Sequence, residues 1–274
     1  MITFPCAKIN LGLNVVSRRA DGYHNLETVF YPVNISDRIE ITVADGRMPE
    51  GKACALTVEG MPVTGNADDN LVVKAYNMLA KDYSLPDVHI NLCKKIPMQA
   101  GMGGGSSDCA YTIRLLNDMF GLDIPLERMI GYAASLGADC AFFINPVPSY
   151  AEGIGDVLQP VDIDLSGYRI VIVKPDIPVS TREAFSLITP AKPFKCCRDI
   201  VRQPIDTWRD ELVNDFEKSI FALHPEIAAI KQRLYDTGAI YAAMSGSGSA
   251  LFGIFKDVPM DIRDMFKDCF VAIL

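Results

Sequence analysis

The sequence predicts an α+β fold in two domains, residues 1–159 and 160–274, and three observations carry that prediction. A strand, a glycine-rich loop and a helix follow one another between Val88 and Gly121. From Tyr168 onward the elements read strand, helices, hairpin, helix, strand, the βαββαβ order of a ferredoxin-like domain. The composition, 49% hydrophobic against 22% charged over 274 residues, supplies a core for two modest domains and gives no hint of disorder.

Residues 2–17 alternate, with Ile9, Leu11, Leu13 and Val15 on one face and Lys8, Asn10, Gly12 and Asn14 on the other, the period of a strand. Pattern leaves two readings of Lys8 open: a solvated edge charge, or a functional group. Asp21-Gly22 marks a turn, beyond which Tyr23 and His24 would serve equally as surface caps of a hairpin. Strands are expected at 27–34 and 38–44, and 45–66 reads as mixed loop and strand. Asn70 opens a helix whose inner face is Val72, Tyr76 and Leu79; Asp68 and Asp69 suit its positive end.

The next block, K-K-I-P-M-Q-A-G-M-G-G-G-S-S-D, spans 94–108. Val88, Ile90 and Leu92 alternate before it as a strand, and Cys109, Ile113, Leu116 and Phe120 follow at helical spacing from near Ser106 until Gly121. Glycine lets the backbone approach a ligand, and a helix start offers unpaired N–H groups and the positive end of its dipole. Together they form an anion cradle suited to phosphate. Neither G-x-x-x-x-G-K-[ST] nor G-x-G-x-x-G occurs here, which argues against an ordinary P-loop protein and a dinucleotide-binding dehydrogenase.

Leu126, Met129, Ile130, Ala133 and Leu136 form an amphipathic helix stopped by Gly137. Asp139 then stands before an apolar run. It reads either as a turn or N-cap aspartate or as a buried acid with a lysine partner. The second domain begins with a strand at 168–174 and a long excursion over 175–211. Helices are expected near 212–223 and 225–236, then a hairpin of 240–244 and 250–255 turning on S-G-S-G-S, a helix near 260–268 and a strand at 270–274.

A net charge of −8 argues against a nucleic-acid partner, and no run reaches 18 apolar residues. The N-terminus lacks signal-peptide organisation, so a cytoplasmic protein is expected. Eight cysteines without a C-x-x-C pair read as buried reduced thiols, and three histidines without ligand spacing give no expectation of a protein-held metal.

Three separated blocks, A-K-I-N-L-G-L, P-M-Q-A-G-M-G-G-G-S-S-D and M-S-G-S-G-S-A-L-F, resemble the three motifs of the GHMP small-molecule kinases. The further blocks R-A-D-G-Y-H-N-L, L-G-A-D and A-E-G-I-G-D resemble the ATP-dependent branch of that family in the non-mevalonate isoprenoid route, whose acceptor carries a cytidine diphosphate moiety. The resemblance implies an N-terminal domain of the ribosomal-protein-S5 domain-2 type and a ferredoxin-like C-terminal domain. It implies catalytic roles for Asp139 and Lys8, and a place for Asn10 near the substrate hydroxyl. Tyr23, His24 and Phe185 would recognise the cytosine. Asn70 and Lys94 would surround the ATP purine, while Pro97, Gly101, Met102, Gly103, Gly104, Gly105, Ser106 and Ser107 would surround the rest of the nucleotide, with Mg²⁺ held mainly by its phosphates. Asp108 is a weak candidate metal ligand, and Cys140-Ala141 stands where Val-Pro is usual in the family.

Overall fold

The structure, a computed structural model, describes residues 1–46, 48 and 51–274. The first half contains strands β1 (Ile2–Thr3), β2 (Cys6–Arg18), β3 (His24–Ser36), β4 (Arg38–Val43) and β5 (Cys54–Gly60). Helix α1 (Leu71–Asp82), strand β6 (Val88–Lys94) and helices α2 (Gly104–Phe120), α3 (Leu126–Leu136) and α4 (Cys140–Ile144) follow. Then come strands β7 (Ser149–Glu152), β8 (Val157–Pro160) and β9 (Arg169–Pro175). Short helices α5 (Thr181–Phe185), α6 (Cys197–Ile200) and α7 (Trp208–Glu211) lead to α8 (Phe216–Leu223) and α9 (Pro225–Asp236). Strands β10 (Tyr241–Met244) and β11 (Leu251–Phe255), helix α10 (Ile262–Met265) and strand β12 (Cys269–Ile273) close the chain.

Two compact units partition these elements. The first comprises Met1–Ala7, Asn34–Met98 and Gly103–Pro146; the second comprises Lys8–Val33, Gln99–Met102 and Val147–Leu274. In the first unit the sheet order is β1-β4-β6-β5. Strands β4 and β6 are antiparallel (Arg38 opposite Cys93), whereas β5 and β6 are parallel (Cys54 opposite Val88). A parallel pair needs a crossover, and α1 supplies it. Ile39, Ile41, Val88, Ile90 and Leu92 are buried on the sheet, as are Val72, Ala75, Tyr76 and Leu79 on α1. Within the 45–66 region, Cys54–Gly60 is the strand; positions 47, 49 and 50 lie outside the described residues.

In the second unit the sheet order β10-β11-β9-β12, antiparallel throughout, is the ferredoxin-like arrangement the sequence predicted. Its core gathers Val171, Val173, Met244, Leu251 and Phe255 from the sheet with Phe216, Ile220, Ile227 and Leu234 from α8 and α9. Helix α8 starts at Phe216, four residues later than the spacing predicts. The cause is β2: Leu13 N–H donates to Val213 O at 2.8 Å and Asp215 N–H to Leu13 O at 2.8 Å, which holds that segment extended. Asn214 then accepts the Phe216 amide as a local cap. A further sheet, β2-β3-β7-β8, includes two four-residue strands that the sequence reading did not assign. No described helix is long and apolar enough to cross a membrane.

Candidate active site

In the first unit, β6 ends in Lys94, which is 2% exposed and donates to Asp37 and, at 2.7 Å, to Asp108 on α2. Asp37 Oδ1 also accepts the amides of Lys95 (2.5 Å) and Ile96 (2.8 Å), fixing the exit of the strand. Burial pushes the Asp108 carboxyl up to about 7, against the pull of Lys94. Burial also disfavours charge on Lys94, but the two carboxylates together raise its pKa above the ordinary value. Lys94 thus offers one positive charge to two buried carboxyl groups, and burial outweighs that attraction at Asp108.

Beside this cluster lies a cavity of about 210 Å³, lined by Val63, Asn70, Leu92, Lys94, Gly105 and Asp108 among others. It is below the roughly 300–1,000 Å³ of sites for drug-sized ligands and suits a single ring system. Asn70 caps α1 by accepting the Val72 amide at 3.0 Å, and its residue also borders the cavity. Gly103 is the N-cap of α2 and makes no side-chain cap bond, so the amides of the first turn have no side-chain acceptor. A Cβ on Gly104 would come within 3.0 Å of Ile96, whereas one on Gly105 would meet nothing within 4 Å. Space at Gly105 is therefore left for something outside the chain. Ser107 Oγ and Asp108 Oδ1, both buried in the early turns of α2, have no hydrogen-bond partner.

Asp139 occupies the N-cap position of α4 but makes no capping bond, and it is half-buried rather than buried. Cys109 and Ser106, both on α2, approach the Cys140 thiol and hold it below the usual range, which ties the start of α4 to α2.

In the second unit, Lys8 is 3% exposed, which overturns the reading as a solvated edge charge. Its Nζ donates to Asn10 Oδ1 at 2.6 Å and to Gly101 O at 2.8 Å. Asn10 Nδ2 donates to Thr28 Oγ1 at 2.9 Å, and the Thr28 hydroxyl donates to Gly12 O at 2.5 Å. Gly12 has φ +69° inside β2, and a Cβ there would sit 2.6 Å from Leu212. The S-G-S-G-S turn closes over the segment 99–102. Ser245 Oγ donates to Gly101 O at 2.9 Å, and the Lys8 amide donates to Met102 O at 3.0 Å. Asn214 holds the turn from below through Met244 O (2.7 Å) and Gly246 O (2.9 Å).

His24 and Phe185 stack on each other with ring centroids 4.5 Å apart and 20° between planes. Phe185 also meets Phe216 edge-on at 4.8 Å, and α5 is fixed by a capping box of Ser180 and Glu183. Tyr23 stands in the preceding turn, 63% exposed. The structure thus brings His24 to Phe185, Lys8 to Asn10 and Gly101, and Lys94, Asn70 and Gly105 to one cavity. Pro97 is buried, next to the last residue of the Asn34–Met98 segment of the first unit. Thr28, Asp37 and Asn214 were missed in the sequence. Thr28 and Asn214 look like ordinary strand and helix-start residues until long-range pairing supplies their partners; Asp37, a lone acid between two apolar alternations, was a readable signal.

Comparison with known proteins places this geometry. The profile of the GHMP kinases N terminal domain matches residues 70–146, and that of the GHMP kinases C terminal domain matches 198–271. A Bacteroides fragilis protein named 4-diphosphocytidyl-2-C-methyl-D-erythritol kinase is 51% identical over 274 residues, covering 98% of each chain. A Porphyromonas gingivalis protein of the same name is 46% identical over 272 residues, covering 98% of this chain and 97% of its own. A crystal structure of 4-(cytidine 5'-diphospho)-2C-methyl-D-erythritol kinase superimposes with a TM-score of 0.80 at 28% identity, covering 100% of this chain and 98% of that one. The Methanococcus jannaschii mevalonate kinase, with a TM-score of 0.66 at 13% identity over 100% of this chain and 96% of its own, shares the fold. With both domain profiles matched in order and half of the residues identical to such relatives from end to end, the chain belongs to the GHMP kinase family.

Proposed function

We propose that the protein transfers the γ-phosphoryl group of ATP to the 2-hydroxyl of 4-diphosphocytidyl-2-C-methyl-D-erythritol, in the cytoplasm, on the non-mevalonate route to isoprenoid precursors. The observation that carries this reading is the 51% identity, over nearly the whole chain, to relatives of that name. Division of the chain into an ATP-binding domain, 1–159, and a C-terminal domain, 160–274, is part of the same proposal.

Phosphoryl transfer asks a protein mainly for alignment and charge compensation. In this reading the purine occupies the cavity between Asn70 and Lys94, and the amides at Gly103–Ser107 take the phosphates, with Pro97, Gly101 and Met102 shaping the approach. Mg²⁺ would be held there mainly by the nucleotide phosphates, with the unpartnered oxygens of Ser107 and Asp108 the protein groups of suitable chemistry beneath it. Bound there, Mg²⁺ would offset negative charge on the β- and γ-phosphate oxygens. Asp139 accepts the hydroxyl proton as the bond to phosphorus forms, and Lys8 supplies a fixed positive charge for the reacting oxygens. Asn10 borders the acceptor hydroxyl. Tyr23, His24 and Phe185 receive the cytosine, where rings give stacking and the His24 imidazole gives a hydrogen bond to the base edge.

The test is ADP release with a panel of acceptor alcohols. The diphosphocytidyl alcohol should support turnover and homoserine and mevalonate should not. Comparable rates with either of the latter would overturn the assignment.

A further inference from the structure

The bonds that hold Lys8 form a relay whose direction is fixed at both ends. An ammonium can only donate, and a backbone carbonyl can only accept. Lys8 Nζ donates to Asn10 Oδ1, Asn10 Nδ2 donates to Thr28 Oγ1, and the Thr28 hydroxyl donates to Gly12 O. Because Gly12 O takes the single hydroxyl proton of Thr28, the oxygen of Thr28 is left only as an acceptor. That forces the amino end of the Asn10 amide toward Thr28 and its oxygen toward Lys8. Lys8, Asn10 and Thr28 are each 3% exposed or less, so water cannot replace a missing member.

We propose that Thr28 is a positioning residue for phosphoryl transfer: it sets the amide orientation of Asn10 and, through it, the place of the Lys8 ammonium. The proposal rests on the reading of Lys8 as a catalytic group. Without the hydroxyl, the Asn10 amino group loses its acceptor, and rotation of the amide would set two donors face to face at Lys8. Ser245 Oγ donates to Gly101 O, a further acceptor of Lys8, at 2.9 Å and lies 3.4 Å from Asn10 Oδ1, so it supports the oxygen end of the same amide without replacing the acceptor that Thr28 gives the amino end.

Thr28→Val keeps the shape and removes the hydroxyl, Thr28→Ala avoids pressing a methyl group on the amide, and Thr28→Ser restores the relay. For Thr28→Val and Thr28→Ala, kcat should fall about tenfold or more, the loss usual for partners that orient a reacting group. KM for ATP and binding of a non-hydrolysable ATP analogue should stay within about twofold, because the nucleotide makes no use of the relay. Thr28→Ser should keep kcat within about threefold of wild type. In single-turnover measurements on a Lys8→Met background, Thr28→Ala should lower the rate no further, since both act through one group. The proposal is lost if Thr28→Ala retains wild-type kcat, if Thr28→Ser is as slow as Thr28→Ala, or if the two losses multiply in the double variant. A Lys8→Met enzyme that turns over normally would instead remove the role of Lys8 itself, whereas an inactive Lys8→Met beside an active Thr28→Ala removes only the relay.

Discussion

Asp108 is 2% exposed, with Oδ2 on Lys94 and Oδ1 without a hydrogen-bond partner. Its folded pKa of about 7 lies above the value of 3.8 for a solvated aspartate. Between these limits the folded protein retains a proton that the unfolded chain has released, so the group's contribution to stability falls as pH rises from about 4 to about 7. Lys94, with its pKa raised, stays charged throughout that window. Urea unfolding of Asp108→Asn should accordingly gain on wild type with rising pH, by up to a few kcal/mol across the window. A difference that does not move with pH would refute the buried-proton account. Asp139→Asn is the complementary change: turnover should drop by about two orders of magnitude or more while ATP-analogue binding, read by calorimetry, persists. Pattern left Lys8 and Asp139 each open between a bland and a functional reading, and burial decides only that Lys8 is no solvated edge charge. Thr28 was not legible, since only the pairing of distant strands gives its hydroxyl a meaning.

Segments 99–102 and 245–249 behave as one piece. Ser249 N–H and Ala250 N–H reach Gln99 O and Ala100 O at 3.4 and 3.3 Å, and Gly101, at φ +70°, lies so close that a Cβ would stand 1.9 Å from Ser245 O. Gly101→Ala must therefore displace backbone, and a thermal melt should show a loss of about 1–3 kcal/mol. Gly105→Ala is the contrast: within α2 it should add up to about 1 kcal/mol of helix stability. Its methyl group enters the space beside the cavity, so KM for ATP should rise. A melt that ranks the two variants the other way would contradict the packing described. Long periodic elements such as α1, α2 and α9 were readable from spacing alone. The strands β7 and β8 and the helices of 175–211 were not, because four or five residues carry too little period to recognise. Helix α10 shortened to Ile262–Met265 for a similar reason: only Ile262 on it is fully buried.

All eight cysteines are free thiols, and Cys54, Cys109, Cys140 and Cys197 are buried. Stability therefore comes from the two cores without covalent staples, and a reducing agent should leave the melting temperature unchanged. A drop on reduction would mean a disulfide in solution. ATP at about a hundred times its Kd should add about 2.7 kcal/mol, as any ligand of the folded state does. Fold class was accessible at this scale because the glycine-loop block and the βαββαβ order are independent signals that agree. Which residues each compact unit collects was not accessible: Lys8–Val33 packs with the C-terminal half, and chain order gives no sign of it.

The ring pair of His24 and Phe185 carries one last implication. One face of the imidazole is already taken by Phe185, so in the proposed reading the ring edge of His24 is what remains for a hydrogen bond to the base. Selectivity for the guest would then come from its polar edge, and a flat ring lacking that edge would gain stacking alone.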